Sequence, residues 1–279
     1  MNNNAYGMVF SGSGIPMKAQ EFPIPDLKNS ELLVKIKYAR ICGSDLHTYQ
    51  GSRNTPVPTI LGHEIIGEIE ILPRGGCLKD YYGNDLKVGD IITWSVVVSC
   101  GDCHYCNNGI SQKCSHIFKY GHEPILENHQ FSGGYAEYCH LAKGTTIIKV
   151  PEGIPYKVLG PANCATATTA CAFRIGGDCS GKVVIVQGVG MLGLTACSMA
   201  RYFGAREVIA IDIDEKRLNT ATEFGATKKL LIDNNPDNVI SDVLQITDGY
   251  KGDIIFEMSG TSNSVELGFN LLSIGGHFV

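Results

Sequence analysis

The sequence has no hydrophobic run that approaches the roughly 20 apolar residues a transmembrane helix needs. Its first residues, MNNNAYGMVF, lack the basic flank and the long apolar core of a secretory signal peptide. Low-complexity tracts are absent, and so is any basic excess: 23 Lys and Arg are set against 28 Asp and Glu, with the signs interspersed and a formal net charge of -5. These absences argue against a membrane protein, a secreted protein and a nucleic-acid-binding protein. We therefore expect a cytoplasmic globular protein.

The first half of the chain has the pattern of short strands joined by loops. In ELLVKIKYA, the apolar Val34, Ile36 and Tyr38 alternate with Lys35 and Lys37, which is the period of a half-buried strand. Further candidates are GEIEIL, GDIITWSVVV, GGYAEYCHL and TTIIKV, separated by Gly-rich turns. Many short strands of this kind predict a barrel-like or sandwich domain.

After VPEGIP the pattern changes. KVVIVQ is a continuous apolar run, typical of a strand buried on both faces of a parallel sheet. Helical and strand patterns then alternate up to GGHFV, which predicts an α/β domain with a doubly wound parallel sheet. A chain of 279 residues suits two domains, for which we predict the limits 1–155 and 156–279. Because the chain ends within a strand pattern, we expect the second domain to lack its C-terminal part.

A glycine-rich turn follows the first strand of the second half. Gly188, Gly190 and Gly193 have Gly-x-Gly-x-x-Gly spacing between a strand and a helix, which is the context of a dinucleotide-binding turn. Asp212 ends the next strand, where a carboxylate accepts a hydrogen bond from an adenosine ribose and repels a 2′-phosphate. This pattern predicts NAD in preference to NADP. The alternative is a turn whose glycines serve packing only.

Eleven cysteines in a reducing compartment are not expected to form a disulfide framework. Cys100, Cys103, Cys106 and Cys114 are spaced Cys-x2-Cys-x2-Cys-x7-Cys, which suits a closed tetrahedral zinc site with a structural role, in a lobe near residues 97–116. An iron–sulfur cluster is the alternative, but its bacterial motif has a different spacing before a final Cys-Pro. With four sulfurs available, we place His104 at the surface.

Two copies of Gly-His-Glu occur, in ILGHEIIGEI (60–69) and KYGHEPILEN (119–128), and a histidine alone is weak support for a metal site. The first copy follows ICGSDLHTY and precedes GPANCATATTA. Together with the cysteine loop and the glycine turn, these blocks resemble the zinc-dependent medium-chain alcohol dehydrogenases over essentially the whole chain. That resemblance implies a GroES-like β domain joined to a Rossmann domain.

The resemblance makes Cys42, His63 and Cys164 the ligands of a catalytic zinc. Two thiolates and one imidazole leave a fourth position open for an alcohol. Some relatives use a glutamate a few residues before the last ligand, where this chain has Gly160. In the resemblance, Ser44 and His47 match a proton relay, and Glu64 matches an acid near the metal. Asp45 matches a carboxylate that orients the ligand histidine, and Arg217 matches a basic residue by the ribose.

The second Gly-His-Glu copy has no accompanying cysteine spacing, so we expect a structural or pocket-lining role for His122 and Glu123 in preference to metal binding. The segments FKYGHE, SGGYAEYCHL and ANCATAT resemble the corresponding segments of a subgroup of this family that is associated with phosphonate catabolism. The remaining cysteines have no ligand spacing and are expected to be small buried residues: Cys77, Cys139, Cys171, Cys179 and Cys197.

The resulting hypothesis is an enzyme that interconverts an alcohol and an aldehyde or ketone with NAD and zinc. Its partners would be a small alcohol or carbonyl substrate and further copies of the chain, as a dimer or tetramer, with no nucleic acid and no membrane. A zinc-free reductase of the same superfamily would lack the set Cys42, His63 and Cys164. An inactive nucleotide-binding relative would not need Ser44 and His47.

Overall fold

A computed structural model describes residues 3–28, 30–73, 78–233 and 235–279 of the protein. The chain forms two compact units, Met1–Cys164 and Ala165–Val279. The domain limits predicted from the sequence, 1–155 and 156–279, stay a prediction. Cys77, which we expected to be buried, lies outside the described residues.

The first unit is rich in short strands. Its helical segments are α1 (Gly43–Gln50), α2 (His104–Asn107) and α3 (Tyr156–Leu159), with a 3-10 turn at Ser111–Lys113 and a π-helical segment beginning at its end, Ala162–Thr166. Its strands are β1 (Asn4–Phe10), β2 (Lys18–Pro23), β3 (Leu32–Arg40), β4 (Thr59–Ile60), β5 (Glu64–Ile71), β6 (Ile91–Trp94), β7 (Val97–Val98), β8 (Phe118–Lys119), β9 (Tyr138–Leu141) and β10 (Ile147–Lys149).

These strands form antiparallel sheets in the orders β2-β1-β4, β10-β6-β5-β3-β9 and β7-β8. The strands predicted in ELLVKIKYA and GEIEIL are present as β3 and β5, and the two pair with each other. The predicted strand GDIITWSVVV is divided into β6 and β7. The central strands are buried: Val34, Ile65 and Ile69 are inaccessible to solvent and pack in the same core as Trp94.

The second unit alternates strands and helices. Its helices are α4 (Ala167–Gly176), α5 (Met191–Tyr202), α6 (Glu215–Glu223), α7 (Pro236–Ile246) and α8 (Ser262–Leu271), and its strands are β11 (Val183–Gln187), β12 (Glu207–Asp212), β13 (Lys228–Leu231), β14 (Gly252–Glu257) and β15 (Leu272–Phe278). All strand pairs are parallel, in the order β13-β12-β11-β14-β15. The predicted parallel sheet is therefore confirmed.

Both faces of this sheet are covered, which explains the continuous apolar run of β11. Val184 and Val186 belong to one core, which includes Cys197 of α5 and Leu218 of α6. The alternate residues of β11, Val183 and Ile185, belong to a second core with Val239 and Val243 of α7 and Leu267 and Leu271 of α8. A strand that contributes to two cores has no polar face, as expected for a doubly wound sheet.

Side-chain caps start three helices of this unit. Asp214 accepts hydrogen bonds from the amides of Lys216 and Arg217 at α6, Asn235 accepts from Asp237 at α7, and Thr261 accepts from Ser264 at α8. Within the described ranges, none of the helices combines the length and the apolar character that crossing a bilayer requires.

Candidate metal centres and nucleotide site

Cys42, His63 and Cys164 come together in the first unit. Their ligand atoms all lie within 4.8 Å of one another, and the two sulfurs are 4.0 Å apart. Cys42 is the residue before α1, His63 precedes β5, and Cys164 lies in the π-helical segment Ala162–Thr166. Three short segments that are distant in sequence thus present two thiols and one imidazole to one point.

This donor set fits zinc. Two sulfurs bound tetrahedrally at about 2.3 Å from a zinc ion would be separated by about 3.8 Å, close to the Cys42–Cys164 distance. A hydrogen bond with the Cys164 thiol, followed by smaller ones from His63 and Ser44, lowers the pKa of Cys42 to about 3 against the effect of burial. A thiolate is the form that binds metal. At Gly160 a Cβ would come within 2.9 Å of the Tyr38 ring, so a glutamate there would need Tyr38 to move.

Asp45 contacts residues of this cluster and holds them in place. Its carboxylate accepts hydrogen bonds from the Cys42 amide (3.0 Å), the Tyr135 hydroxyl (3.0 Å) and the Gly62 amide (3.3 Å), and its Oδ1 lies 3.2 Å from His63 Nδ1. Burial raises the pKa of Asp45, but its contacts with His63 and these donors outweigh burial and lower it overall. With Nδ1 of His63 facing Asp45, Nε2 is the nitrogen left for a metal.

The two predicted relay residues lie one turn apart on α1. Ser44 Oγ is 3.4 Å from His63 Nε2, so this hydroxyl is close to the position a metal would take. His47 is exposed, and its Nδ1 is 3.3 Å from the Ser52 hydroxyl. The structure therefore places one hydroxyl at the ligands and one imidazole at the surface.

Glu64 is buried directly after the ligand histidine. Its carboxylate is 3.9 Å from the Arg40 guanidinium, and the two residues are paired across β3 and β5. Burial, with a smaller effect from the charge of Cys42, raises the pKa of Glu64 to about 7 in spite of Arg40. The predicted acid near the metal is thus a neighbour of the ligand cluster.

The second Gly-His-Glu copy packs against the first. A Cβ on Gly121 would lie 2.5 Å from the carbonyl oxygen of Gly62, and both glycines have positive φ values, 75° and 93°. Only glycine permits this approach without strain. The rings of His63 and His122 have centroids 5.3 Å apart. Glu123 accepts a hydrogen bond from the Lys119 amide at 2.8 Å and is not among the clustered ligands.

One positioning residue was not anticipated from the sequence. The Asn163 side-chain amide donates to the carbonyl oxygens of His63 (3.0 Å) and Trp94 (3.1 Å), which ties the segment of Cys164 to the segment of His63. The one indication of this role in the sequence was that Asn163 directly precedes the predicted ligand Cys164. An amide that donates two hydrogen bonds is not distinguishable in a sequence from a surface asparagine.

The four loop cysteines form a second cluster, with each ligand atom within 4.8 Å of the others. Cys103 and Cys106 sulfurs are 3.5 Å apart, those of Cys100 and Cys114 3.4 Å, those of Cys103 and Cys114 3.9 Å, and those of Cys100 and Cys106 4.0 Å. These separations bracket the value of about 3.8 Å for sulfurs around a tetrahedral zinc.

Backbone amides also prepare this loop for metal. The Cys114 sulfur accepts from the amides of Cys100 and His116, both at 3.3 Å. Hydrogen bonds from the amides of Ser115 and Cys106 lower the pKa of Cys103 to about 5. His104 is exposed, as expected. Of the other cysteines, Cys139, Cys179 and Cys197 are buried as predicted, whereas Cys171 is only half-buried.

The glycine turn of the second unit has the close contacts that its spacing predicts. Gly188 has a φ of 81°, and a Cβ there would be 2.7 Å from the backbone of Ser259. A Cβ on Gly193 would be 2.0 Å from the Gly188 carbonyl oxygen, so α5 packs directly on the turn. Gly190 precedes α5 and has open space beside it. This space permits a pyrophosphate to approach the backbone.

Asp212 lies at the end of β12, beside that turn. Its Oδ2 accepts from the Val189 amide at 2.7 Å, and its Oδ1 accepts from the Asp214 amide at 3.0 Å. The Arg217 guanidinium is 4.0 Å from Asp212 Oδ2 and 3.9 Å from Asp214 Oδ2. Asp212 and Arg217, both predicted at the ribose, are therefore neighbours, and the cation faces two carboxylates.

Comparison with known proteins identifies the family. The family model described as alcohol dehydrogenase GroES-like domain matches residues 28–152, and the one described as zinc-binding dehydrogenase matches residues 191–279. The 5-exo-hydroxycamphor dehydrogenase of Pseudomonas putida is 31% identical over 264 residues, which cover 93% of this chain and 71% of that protein.

A fungal relative and a solved structure agree with this. Zinc-type alcohol dehydrogenase B of Aspergillus flavus is 29% identical over 278 residues, which are 97% of this chain but 61% of the relative. The crystal structure of an alcohol dehydrogenase from Thermotoga maritima superimposes with a TM-score of 0.91 at 33% identity, covering 99% of this chain and 76% of that one.

The two units thus correspond to the GroES-like and Rossmann folds that the resemblance implied, and the cofactors of the family are zinc and a nicotinamide dinucleotide. Two clusters of potential metal ligands, a glycine turn of Gly-x-Gly-x-x-Gly spacing and these matches lead to one conclusion: the chain belongs to the zinc-dependent medium-chain alcohol dehydrogenases.

Proposed function

We propose that this protein oxidises an alcohol to an aldehyde or ketone, and catalyses the reverse reaction, with NAD and one catalytic zinc. The convergence of Cys42, His63 and Cys164 within 4.8 Å carries the proposal. When bound there, zinc supplies a Lewis acid that lowers the pKa of an alcohol, while NAD supplies the hydride acceptor. The chain spans 61–71% of the length of the two curated relatives described above, so the activity of the whole protein is a proposal.

Ser44 is proposed to take the proton of the substrate hydroxyl. Its Oγ is 3.4 Å from His63 Nε2, near the three ligands, and it is not itself one of them. His47, one turn further along α1 and exposed, is proposed to pass the proton to solvent. A half-buried hydroxyl at the ligands followed by an exposed imidazole is a suitable order for a relay, because the proton then moves from the substrate towards solvent.

Asp45 and Glu64 are proposed to support the ligands without touching substrate. Asp45 orients His63 through Nδ1 and adds negative charge behind the imidazole, which strengthens it as a ligand. Glu64 is buried against Arg40 and provides a titratable group close to Cys42. The loop of Cys100, Cys103, Cys106 and Cys114 is proposed to hold a structural zinc, because all four tetrahedral positions are protein sulfurs.

Gly188, Gly190 and Gly193 are proposed to hold the pyrophosphate of the dinucleotide, and Asp212 the adenosine ribose. The carboxylate of Asp212 and the space beside Gly190 support this assignment. Arg217 is proposed to lie by the same ribose, paired with Asp212 and Asp214. Because these carboxylates already accompany the guanidinium, a 2′-phosphate would meet negative charge, and NAD is the proposed cofactor.

Three broader features belong to the proposal. The resemblance in FKYGHE, SGGYAEYCHL and ANCATAT supports a role in phosphonate catabolism. The ten cysteines of the described ranges are all free, which supports a reducing compartment such as the cytoplasm. A homo-oligomer, dimer or tetramer, stays a prediction.

The experiment is an NAD-linked assay of the purified, zinc-analysed protein against a panel of primary and secondary alcohols. Oxidation of at least one alcohol, lost on chelation and restored by zinc, is the expected result. A protein that binds NAD but oxidises none of them would instead be a nucleotide-binding relative without catalysis. Activity that survives complete removal of zinc would favour a zinc-free reductase.

A further inference from the structure

Two basic side chains beside the ligand cluster have no acidic partner in the part of the chain that the structure describes. Arg53 and Lys119 are both half-buried. Within the described ranges, neither side chain forms an ion pair or a hydrogen bond with another residue. A cation that loses part of its hydration without a counter-ion carries a free-energy cost, which an anionic ligand would offset. Their position therefore calls for an explanation.

Hydrogen bonds hold the segments of the two cations together. Arg53 follows α1, where its amide donates to the His47 carbonyl at 3.2 Å. Two residues later, the Thr55 hydroxyl donates to the His122 carbonyl at 3.4 Å. The His122 amide in turn donates to the Lys119 carbonyl at 3.0 Å. The loop of Arg53 and the turn from Lys119 to Glu123 thus form one connected wall of the first unit.

The charges on this wall act on one another and on the ligands. Burial lowers the pKa of Lys119, the positive charge of Arg53 lowers it further, and the Cys164 and Cys42 charges oppose this. Each of these groups therefore lies within electrostatic reach of Lys119. The one carboxylate of the turn, Glu123, accepts a hydrogen bond from the Lys119 amide.

His122 adds an unused polar atom to the same wall. Its side chain is 8% exposed, its ring centroid is 5.3 Å from that of His63, and its Nε2 has no hydrogen-bond partner among the described residues. An imidazole nitrogen without a partner can form a hydrogen bond with a bound ligand.

The ligand thiolates do not neutralise these cations once zinc is bound. The two negative charges of Cys42 and Cys164 are balanced by the two positive charges of a zinc ion. Arg53 and Lys119 then keep their positive charges, and neither forms an ion pair with a carboxylate of the described residues. The group that complements them is an anion with several oxygen acceptors, since guanidinium and ammonium groups bind such oxygens strongly.

We propose that the alcohol substrate of this enzyme carries an anionic oxygen group, a phosphonate, phosphate or carboxylate, which Arg53 and Lys119 bind while its hydroxyl faces the metal ligands. His122 Nε2 supplies a further hydrogen bond to the same substrate. The inference rests on the proposed alcohol oxidation and names the substrate class of that site. Arg53 and Lys119 are specificity residues in this scheme and take no part in hydride or proton transfer.

The first test compares three primary alcohols of similar length in the zinc-loaded full chain: γ-hydroxypropylphosphonate, γ-hydroxybutyrate and n-pentanol. We expect kcat/KM to be at least about tenfold higher for one of the anionic alcohols than for n-pentanol, which is the size of effect that a charged hydrogen bond gives. The preference between phosphonate and carboxylate identifies the anion. Equal or higher kcat/KM for n-pentanol would overturn the proposal.

The variants Arg53→Gln and Lys119→Gln remove the charges one at a time. Each variant should lower kcat/KM for the preferred anionic alcohol about tenfold, mostly through a higher KM. The kcat/KM for n-pentanol and the KM for NAD should stay unchanged. Lys143→Gln, at an exposed lysine in the turn between β9 and β10, is the matched control and should change neither. A loss that is equal for charged and uncharged alcohols, or a raised KM for NAD, would contradict the assignment.

Binding separates this inference from the proposed function. Calorimetric titration of the zinc-loaded protein with methylphosphonate and with acetate reports the anion site without turnover. Binding of either anion that weakens in Lys119→Gln and persists in Lys143→Gln supports the site even if no alcohol is oxidised, in which case the proposed function alone fails. Absence of saturable binding of both anions, together with unselective alcohol oxidation, would refute the anion site and leave the proposed function intact.

Discussion

The imidazole rings of His63 and His122 lie 5.3 Å apart with their planes inclined by 34°, although they belong to separate copies of the same Gly-His-Glu sequence. His63 has Asp45 at Nδ1 and Ser44 at Nε2, whereas Nε2 of His122 has no partner among the described residues. The two copies are thus neighbours with different surroundings. Only His63 has the cysteine neighbours of a metal ligand.

We expect two zinc ions per chain in the wild-type protein, one for each cysteine cluster. His63→Ala should reduce this to one and abolish alcohol oxidation, because it removes the only nitrogen ligand of its site. His122→Ala should retain both ions. Zinc counted by mass spectrometry against protein concentration checks this, and loss of an ion from His122→Ala would show that the two copies had been assigned wrongly.

Asp45→Asn should weaken binding of the catalytic zinc about 10- to 100-fold, the usual effect of losing a carboxylate that orients a ligand histidine. The amide cannot supply the negative charge that Asp45 places behind His63. Tyr135→Phe removes one of the hydrogen bonds to Asp45 and keeps the charge, so it should have a smaller effect. Competition with a chelator measures both, and equal losses would mean that the charge is unimportant.

Ser44→Ala should lower kcat by about 100-fold or more, typical of losing proton transfer, while the zinc content stays near two. The hydroxyl is near the ligands but is not one of them. His47→Gln should slow the reaction mainly at low pH, where solvent bases are too scarce to replace the imidazole. Parallel measurement of turnover and zinc distinguishes relay from ligand; full activity in Ser44→Ala would eliminate the relay.

Cofactor choice should depend on Asp212. We expect a clear preference for NAD in the wild-type protein and a shift towards NADP in Asp212→Gly, because the repulsion between Asp212 and a 2′-phosphate is removed. Arg217, which is 4.0 Å from Asp212 and 3.9 Å from Asp214, then keeps one carboxylate neighbour in place of two and can pair with the phosphate. The double variant Asp212→Gly with Arg217→Ala is the control and should lose the gain for NADP. Comparable kcat/KM for both cofactors in the wild-type protein would show that Asp212 does not discriminate.

Acid should destabilise the first unit through a histidine pair far from any metal ligand in sequence. The rings of His129 and His140 are stacked 4.2 Å apart, and His140 Nε2 is 3.0 Å from Glu31. Burial, followed by the charge of His140, lowers the pKa of His129 from 6.5 to about 4. Between these values the unfolded chain binds more protons, so the free energy of unfolding decreases as the pH falls from 6.5 towards 4.

The expected loss from His129 is at most about 3 kcal/mol. His129→Gln cannot titrate and should lose correspondingly less stability over the same pH range. Denaturant unfolding of both proteins at a series of pH values gives the difference between their free energies of unfolding. Protonation of the zinc ligands affects both proteins equally and cancels in this difference. Identical slopes for the two proteins would show that His129 is accessible to protons in the folded state.

Features of the chain that depend on neighbouring residues were predictable from the sequence. The run KVVIVQ forms β11 because a strand with two buried faces needs apolar residues at every position, and the glycine spacing that follows is dictated by contacts within one turn. The four-cysteine loop is equally local, since all its ligands lie within fifteen residues or so of one another. Chain order and family resemblance then indicated the three-ligand cluster.

Other elements could not be predicted because their stabilising contacts are distant in sequence. β2 has a single buried residue, Phe22, and α1 buries only the polar Asp45 and Thr48, so neither has a hydrophobic period. The four partners of Asp45 come from three separate segments. Asn163 joins its own segment to those of His63 and Trp94.

The packing of Gly121 on Gly62 was likewise decided by the fold. It brings the second Gly-His-Glu copy against the first, and hydrogen bonds through His122 join the loop of Arg53 to the turn of Lys119. In the sequence these are ordinary surface-type cations. Only the tertiary structure half-buries both beside the proposed metal ligands, with no carboxylate partner among the residues it describes, because charge complementarity depends on positions in space and not on residue types. The sequence by itself determined the chemistry of the centre, and the fold decided what surrounds it.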